Sequence, residues 1–215
     1  MVLNKNDFDL TYWQYYLALE NDFNKLNIPI DDMNASTFSF DYLKLFSIVC
    51  FEIDVTFKAF IQYITGEKMK KEDIIEYKKI ILNKYPEFEN KSIKCKDISP
   101  LIPYKNWSNG TLEWWTDYNK IKHERTEKRS DLENFKKATQ KNVLLALSGL
   151  YQLEMYFYKE LIDKEDPEKD IYLRIPVPQS KIFRIIDWNE NIPLVDNRFT
   201  MHLKDGHLIW EGAID

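Results

Sequence analysis

Apolar residues recur at helical spacing through most of the first 160 positions, and the pattern changes to strand-like alternation towards the C-terminus. Between Leu10 and Leu26, residues Tyr12, Tyr15, Tyr16, Leu19 and Phe23 share a face, which predicts a helix. Pro29 ends it, because the residue before a proline is disfavoured in the α conformation. A longer helical period spans Phe40–Thr65, with Tyr42, Phe46, Cys50, Ile53, Phe57 and Phe60 on its broad apolar side. Ser39 or Asp41 is available as its N-cap, and Gly66 is a natural stop. A third helix is predicted over Lys71–Lys84, before Pro86. Residues 86–110 contain Pro86, Pro100 and Pro103 and few periodic positions, so they read as a long connection. A fourth helix covers Leu112–Glu124. A fifth runs from near Asp131 to about Asp163, and its Val143–Tyr158 segment is apolar on nearly every side, the mark of a central, buried helix. Gly149 inside it lowers helix stability and implies close packing there.

After Asp166-Pro167 the period shortens. Ile171–Pro178 and Lys181–Trp188 read as strands, and Arg198–Trp210 as a β-hairpin turning at Asp205-Gly206. His202 and His207 flank that turn and read as a solvent-facing pair rather than a metal site. The expected architecture is mainly α: a bundle of about five helices over residues 1–165, with a small β-rich extension over 166–215 packed on it. No repeat or low-complexity tract is present.

Composition refines this picture. A chain of 215 residues can bury a core of its own. With 30% charged residues and a mean hydropathy of −0.49, it reads as soluble, and no apolar run has membrane-spanning length. The opening MVLNKNDFDLTYW lacks the pattern of a signal peptide. Cys50 and Cys95 form no paired motif, so both are expected as free thiols in a cytoplasmic protein. The net charge of −5 argues against a general nucleic-acid binder. The charge is uneven, however: residues 119–141 carry eight Lys/Arg against four Asp/Glu.

That basic surplus begins in the stretch WWTDYNKIKHER, Trp114–Arg125. At 100° per residue, Leu112, Trp115, Thr116, Asn119 and His123 fall along one side of the helix, and Trp114, Tyr118, Ile121 and Arg125 along another. Lys122 lies between Asn119 and Tyr118, while Asp117, Lys120 and Glu124 point away. The aromatics can anchor the helix. Its last turns then present a histidine able to act as general base or acid, with Lys122 and Arg125 to neutralise a phosphate and Asn119 to orient the imidazole or hold a hydroxyl. Such a set can activate a ribose 2′-hydroxyl without a metal. No second His or Cys stands at ligand spacing, and no metal or cofactor is implied. On spacing alone, the usual fate of such a set is a solvated polar face with a satisfied histidine. On the long second helix, Glu52 and Asp54 border the apolar face, and Asp54 is placed to pair with Lys58 four residues on.

Two separated segments, Phe38–Phe60 and Trp114–Tyr158, resemble HEPN-like bacterial proteins. The matching positions are Ser39, Glu52-Ile53-Asp54, Lys58, Trp114-Trp115, Tyr118-Asn119, Lys122-His123 and Arg125, and the resemblance covers about Tyr12–Tyr158. It implies an α-helical bundle, a homodimer, and metal-independent endoribonuclease activity in bacterial defence, toxin–antitoxin systems or stress response. The family's histidine corresponds to His123 and its polar position to Asn119. The arginine expected upstream is missing, since Thr116, Asp117 and Tyr118 occupy those positions; Arg125, downstream, is the available substitute. The resemblance thus implies His123, Asn119 and Arg125 as the catalytic group, Lys122 and Lys120 as phosphate-binding groups, and Glu52, Asp54 and Tyr118 as support. In that arrangement Asp54 holds Lys122 or Arg125, and Glu52 reaches His123.

Three readings follow. The chain is a ribonuclease; or it is a non-catalytic module that binds RNA, a nucleotide or a protein partner such as an antitoxin; or the motif only locks helices together, in which case His123 is buried and bonded within its own subunit.

Overall fold

The structure is a computed structural model. It describes residues 3–26, 28–96, 98–129, 132–165, 175–186 and 188, with backbone alone at 129 and 132, and the backbone of 199–204 and 207–212. The fold is mainly helical, as the periodicity predicts, with small antiparallel sheets.

The first helical stretch consists of α1 (Lys5–Phe8), a π-helical turn (Asp9–Trp13) and α2 (Gln14–Lys25) in unbroken succession. It starts before Leu10 because Asn4 and Asp7 form a capping box, which lies outside the apolar period. The longest elements are α3 (Phe40–Thr65) and α6 (Gln140–Glu165). The bounds of α3 are those that the sequence predicts. The Ser39 hydroxyl accepts from the Tyr42 amide at 3.0 Å, and Gly66 closes the helix in the left-handed region at φ 77°. Asp73 caps α4 (Ile74–Lys84), accepting from the amides of Ile75 and Glu76 at 3.0 Å each.

α3 and α6 run parallel through the core. At one end the Gln140 side-chain amide donates to the Tyr42 hydroxyl at 3.1 Å; at the other the rings of Phe60 and Phe157 stack 4.9 Å apart. Both rings are fully buried, each contributing roughly 2–3 kcal/mol by leaving water. α6 is buried without a break from Ala146 to Tyr158, which makes it the central helix. Its Gly149 is closely packed: a Cβ there would lie 3.4 Å from the Tyr104 hydroxyl oxygen, and that hydroxyl donates to the Gly149 carbonyl at 3.1 Å.

α6 starts well after Asp131. The chain beyond α5 (Glu113–His123) first makes a tight hairpin, β3 (Lys128–Arg129) and β4 (Leu132–Glu133), and then a 3-10 turn at Asn134–Lys137. Thr139 then starts the helix, its hydroxyl accepting from the Asn142 amide at 3.4 Å.

Residues 86–110 are more than a connection. They carry β1 (Ile93–Cys95) and β2 (Ile98–Leu101), which join β5 (Phe183–Ile185) in an antiparallel sheet of order β2-β1-β5, with Lys94 opposite Arg184. Strands this short show too little alternation to be read from sequence. The segment leading into β5 is clamped to α2. The buried Glu20 carboxylate accepts from the Tyr16 and Ser180 hydroxyls and from the Lys181 amide at 2.8 Å, and the Trp13 indole donates to the Pro178 carbonyl at 2.8 Å. The strand expected over 181–188 thus forms as β5. Of the strand expected over 171–178, residues 171–174 lie outside the described residues and 175–178 are not in a strand. The predicted hairpin forms from β6 (Phe199–Lys204) and β7 (His207–Gly212), with Lys204 opposite His207. Its turn, Asp205-Gly206, lies outside the described residues, as do the side chains of His202 and His207 and the boundary at Asp166-Pro167. Among the described residues no helix is long and apolar enough to cross a membrane.

Candidate functional site

α5 is held by its aromatic half. Trp114, Trp115, Tyr118 and Ile121 are buried, and the Trp114 indole donates to the Pro103 carbonyl at 2.7 Å. Its last turn carries Lys120, Lys122 and His123, cations that complement the negative end of a helix dipole. The chain then folds back on the helix end. The Asn134 side chain donates to the Glu124 carbonyl at 2.8 Å, and the Phe135 amide donates to the Arg125 carbonyl at 3.2 Å.

Four of the expected site residues meet in one cleft of about 370 Å³ between α3, α5 and the start of α4. Tyr118, Asn119 and Lys122 line it from α5, with Asp54 and Glu72 opposite. The exposed ring of Phe51 stands at the same cleft. Tyr118 is only 8% exposed and meets Phe46 edge-on at 6.2 Å, while the Lys122 ammonium sits over its ring, 5.9 Å from the centroid. Tyr118 is therefore part of the helix packing, and burial raises its phenol pKa.

Asp54 is occupied locally. One oxygen pairs with Lys58 at 2.7 Å, the ion pair that i,i+4 spacing predicts, and the other accepts from the Tyr77 hydroxyl at 2.8 Å. Burial, followed by that bond to a carboxylate, pushes the Tyr77 phenol well above its ordinary range. Lys58 also reaches Glu72 at 3.3 Å. Asp54 thus holds Lys58 and Tyr77, and its place as an anchor for Lys122 or Arg125 is taken.

The other expected residues lie elsewhere. His123 and Arg125 are exposed beyond the cleft. Among the described residues neither side chain makes a hydrogen bond or an ion pair. The buried, internally bonded histidine that the purely structural reading requires is not found. Lys120 is turned to the opposite side, 3.9 Å from Asp117. Asp117 is a hub that sequence reasoning missed: Lys137 reaches it at 2.8 Å and the Asn142 side chain at 3.1 Å, tying α5 to the start of α6. The only signal available was a lysine-rich segment beyond the motif, which does not show which acid it serves.

Glu52 does not reach His123. Two positions along a helix turn the side chain by about 200°, so Glu52 faces away from Asp54 and the cleft. It is buried against α6 and the first helical stretch, where its charge acts on Tyr12, Tyr15 and Glu154. Burial raises its pKa. Among the described residues no three His, Cys, Asp or Glu side chains converge on one point.

The arrangement is an accessible imidazole and guanidinium at the end of a rigid helix, beside a mixed aromatic and polar cleft that contains Asn119 and Lys122. It can bind an anion and donate to it. Comparison of the chain with family models, curated proteins and solved structures found no match.

Proposed function

We propose that this chain is a HEPN-like RNA-binding protein whose docking face is the end of α5 and the turn that follows. The observation that carries the reading is the exposed run Lys122, His123, Arg125 and Lys128. Two of its members, His123 and Arg125, have no intramolecular partner among the described residues. In the same region Lys136 and Lys137 are engaged by Glu133 and Asp117, so the cations left for a ligand are concentrated at this edge. Lys122 and Arg125 suit the phosphates of a single strand, and Asn119, in the cleft, suits a hydroxyl or a base edge.

Anisotropy titrations of a single-stranded RNA, repeated across a salt series, test this. Binding should weaken steeply with salt, and Lys122→Ala and Arg125→Ala should each lower the slope by about 0.7. RNA affinity that is absent, or indifferent to both substitutions, would turn the proposal towards a protein partner such as an antitoxin.

A second reading, cleavage, is favoured by the accessible His123 imidazole. Among the described residues of a single chain nothing orients it, so this reading calls for a second copy. Phe40, Ile48 and Phe51 share an exposed face of α3, with 66%, 41% and 60% exposure, and support a homodimer. Cleavage in EDTA that leaves cyclic-phosphate ends and is lost in His123→Ala would establish it. Cleavage that persists in the mutant would exclude His123 as the base.

A further inference from the structure

On the other side of α3 lies a polar cluster that the α5 motif does not use. Glu154, in the middle of α6, is 0% exposed, and neither of its carboxylate oxygens has a hydrogen-bond partner. Thr56 on α3 is also 0% exposed, with an unpartnered hydroxyl. Three other helical hydroxyls return to their own backbone: Thr11, Ser47 and Thr65 bond the carbonyl four residues back at 2.5, 2.8 and 2.7 Å. Thr56 departs from that habit: its buried hydroxyl makes no such bond.

The helix register places Thr56 beside Glu154. α3 and α6 are parallel, and Phe60 meets Phe157. Thr56 lies one turn before Phe60 and Glu154 one turn before Phe157, so the two stand level across the interface. Glu52 is one turn further back on the same face of α3 and is 6% exposed. Tyr12, whose ring meets Phe157 at 5.8 Å, closes the group, and both glutamates act on its phenol.

Every polar group in this cluster is an oxygen. Glu52 is the one charged neighbour that acts on Glu154, and no lysine or arginine among the described residues acts on either carboxyl. Burial favours the neutral form of both carboxyls; a bound cation would hold them as carboxylates, and an all-oxygen set carrying two of them matches a hard cation rather than zinc or copper.

We propose that Glu52, Thr56 and Glu154, with the Tyr12 hydroxyl alongside, form a site for one hard divalent cation, of the class of Mg²⁺, Mn²⁺ or Ca²⁺. The two carboxylates match its charge, the Thr56 hydroxyl adds a neutral ligand, and the ion enters past Glu52, the one member on α3 with any exposure. The cation ties α3, α6 and the first helical stretch together. It sits across α3 from the cleft, so the proposal stands independently of the RNA reading.

The test uses the full chain, stripped with EDTA and titrated calorimetrically with MgCl₂, MnCl₂ or CaCl₂, with thermal unfolding recorded in parallel. At least one of the three cations is expected to bind at about one per chain and to raise the Tm. Glu154→Gln and Thr56→Val should each weaken binding about tenfold or more, while Glu67→Gln, an exposed glutamate outside the cluster, should bind as the parent does. Should Glu154→Gln fail to fold, Thr56→Val, which keeps both carboxylates, decides the outcome. The proposal is overturned if none of the three cations binds the parent chain, or if Thr56→Val binds as tightly as the parent.

Discussion

The ammonium of Lys122 lies 5.9 Å from the centroid of the Tyr118 ring, one turn away on α5. The pair occupies the region where the HEPN resemblance leads one to expect an arginine. A buried phenol ring stands in its place, with an exposed cation above it. Such a contact contributes about 0.5–1 kcal/mol and leaves the lysine free to move to a ligand.

The substitution Tyr118→Arg, which introduces the arginine that the resemblance implies, should therefore be costly. The site is 8% exposed and faces Phe46, so an arginine there gives up the ring packing and must carry its charge out of the helix interface into the cleft, towards Asp54 and Glu72. Urea denaturation should show a loss of about 1–3 kcal/mol. Tyr118→Phe keeps the ring and should change stability by less than about 0.5 kcal/mol.

Asp117 is the acceptor that joins α5 to the start of α6. Removing its carboxylate in Asp117→Ala leaves Lys137 and Asn142 without a shared acceptor. Chemical denaturation should show a cost of about 1–3 kcal/mol. Asp117→Asn, which keeps one acceptor oxygen, should recover part of it.

Asp73 supplies a pH-dependent contribution. The hydrogen bond from Lys71 comes first among the causes that lower its carboxyl pKa from the ordinary 3.8, helped by the Glu76 amide. Because the folded-state value is the lower one, the ionised cap stabilises α4 above the unfolded value and the contribution is lost as pH falls through the folded value. Asp73→Ala should cost about 1 kcal/mol near neutrality. Urea midpoints of mutant and parent should converge as pH falls below the ordinary carboxylate value and through the lowered folded one.

The two cysteines should be inert in the folded protein. Both are fully buried. Burial pushes the Cys50 thiol well above its usual value, and burial pushes Cys95 up to about 12. A thiol-reactive dye at neutral pH should label neither until denaturant is added, and then both.

How much of this was legible in the sequence depended on how local each cause is. Ser39 and Gly66 bracket α3 within the chain itself, and both bounds follow from them. The Asp54–Lys58 pair sits four residues apart and was equally readable. The start of α6 was not, because residues 128–137 are held by bonds to Glu124 and Arg125 across a turn. The three-stranded sheet was hidden for the same reason: β5 joins β1 from far along the chain. At the α5 motif, spacing gave the faces of the helix but not their partners. Asn119 and Lys122 came together in the cleft, whereas Glu52 turned to Glu154 and Lys120 to Asp117. Glu154 itself reads as one polar letter in an apolar run; nothing near it in sequence announces Thr56.

The clamp between Glu20 and the segment before β5 bears on how the chain is made. Glu20, on α2, accepts from Ser180 and Lys181, and β1 lacks its β5 neighbour until Phe183–Ile185 arrive. A nascent chain that has just released α6 from the ribosome therefore carries a carboxylate in an apolar setting with only the Tyr16 hydroxyl to meet it, and an open strand edge. The helices are synthesised first, but the last contacts that finish them are translated afterwards. The segment from Pro178 to Ile185 thus completes the polar contacts of α2 and the edge of β1, and it reaches them only after every helix has been made.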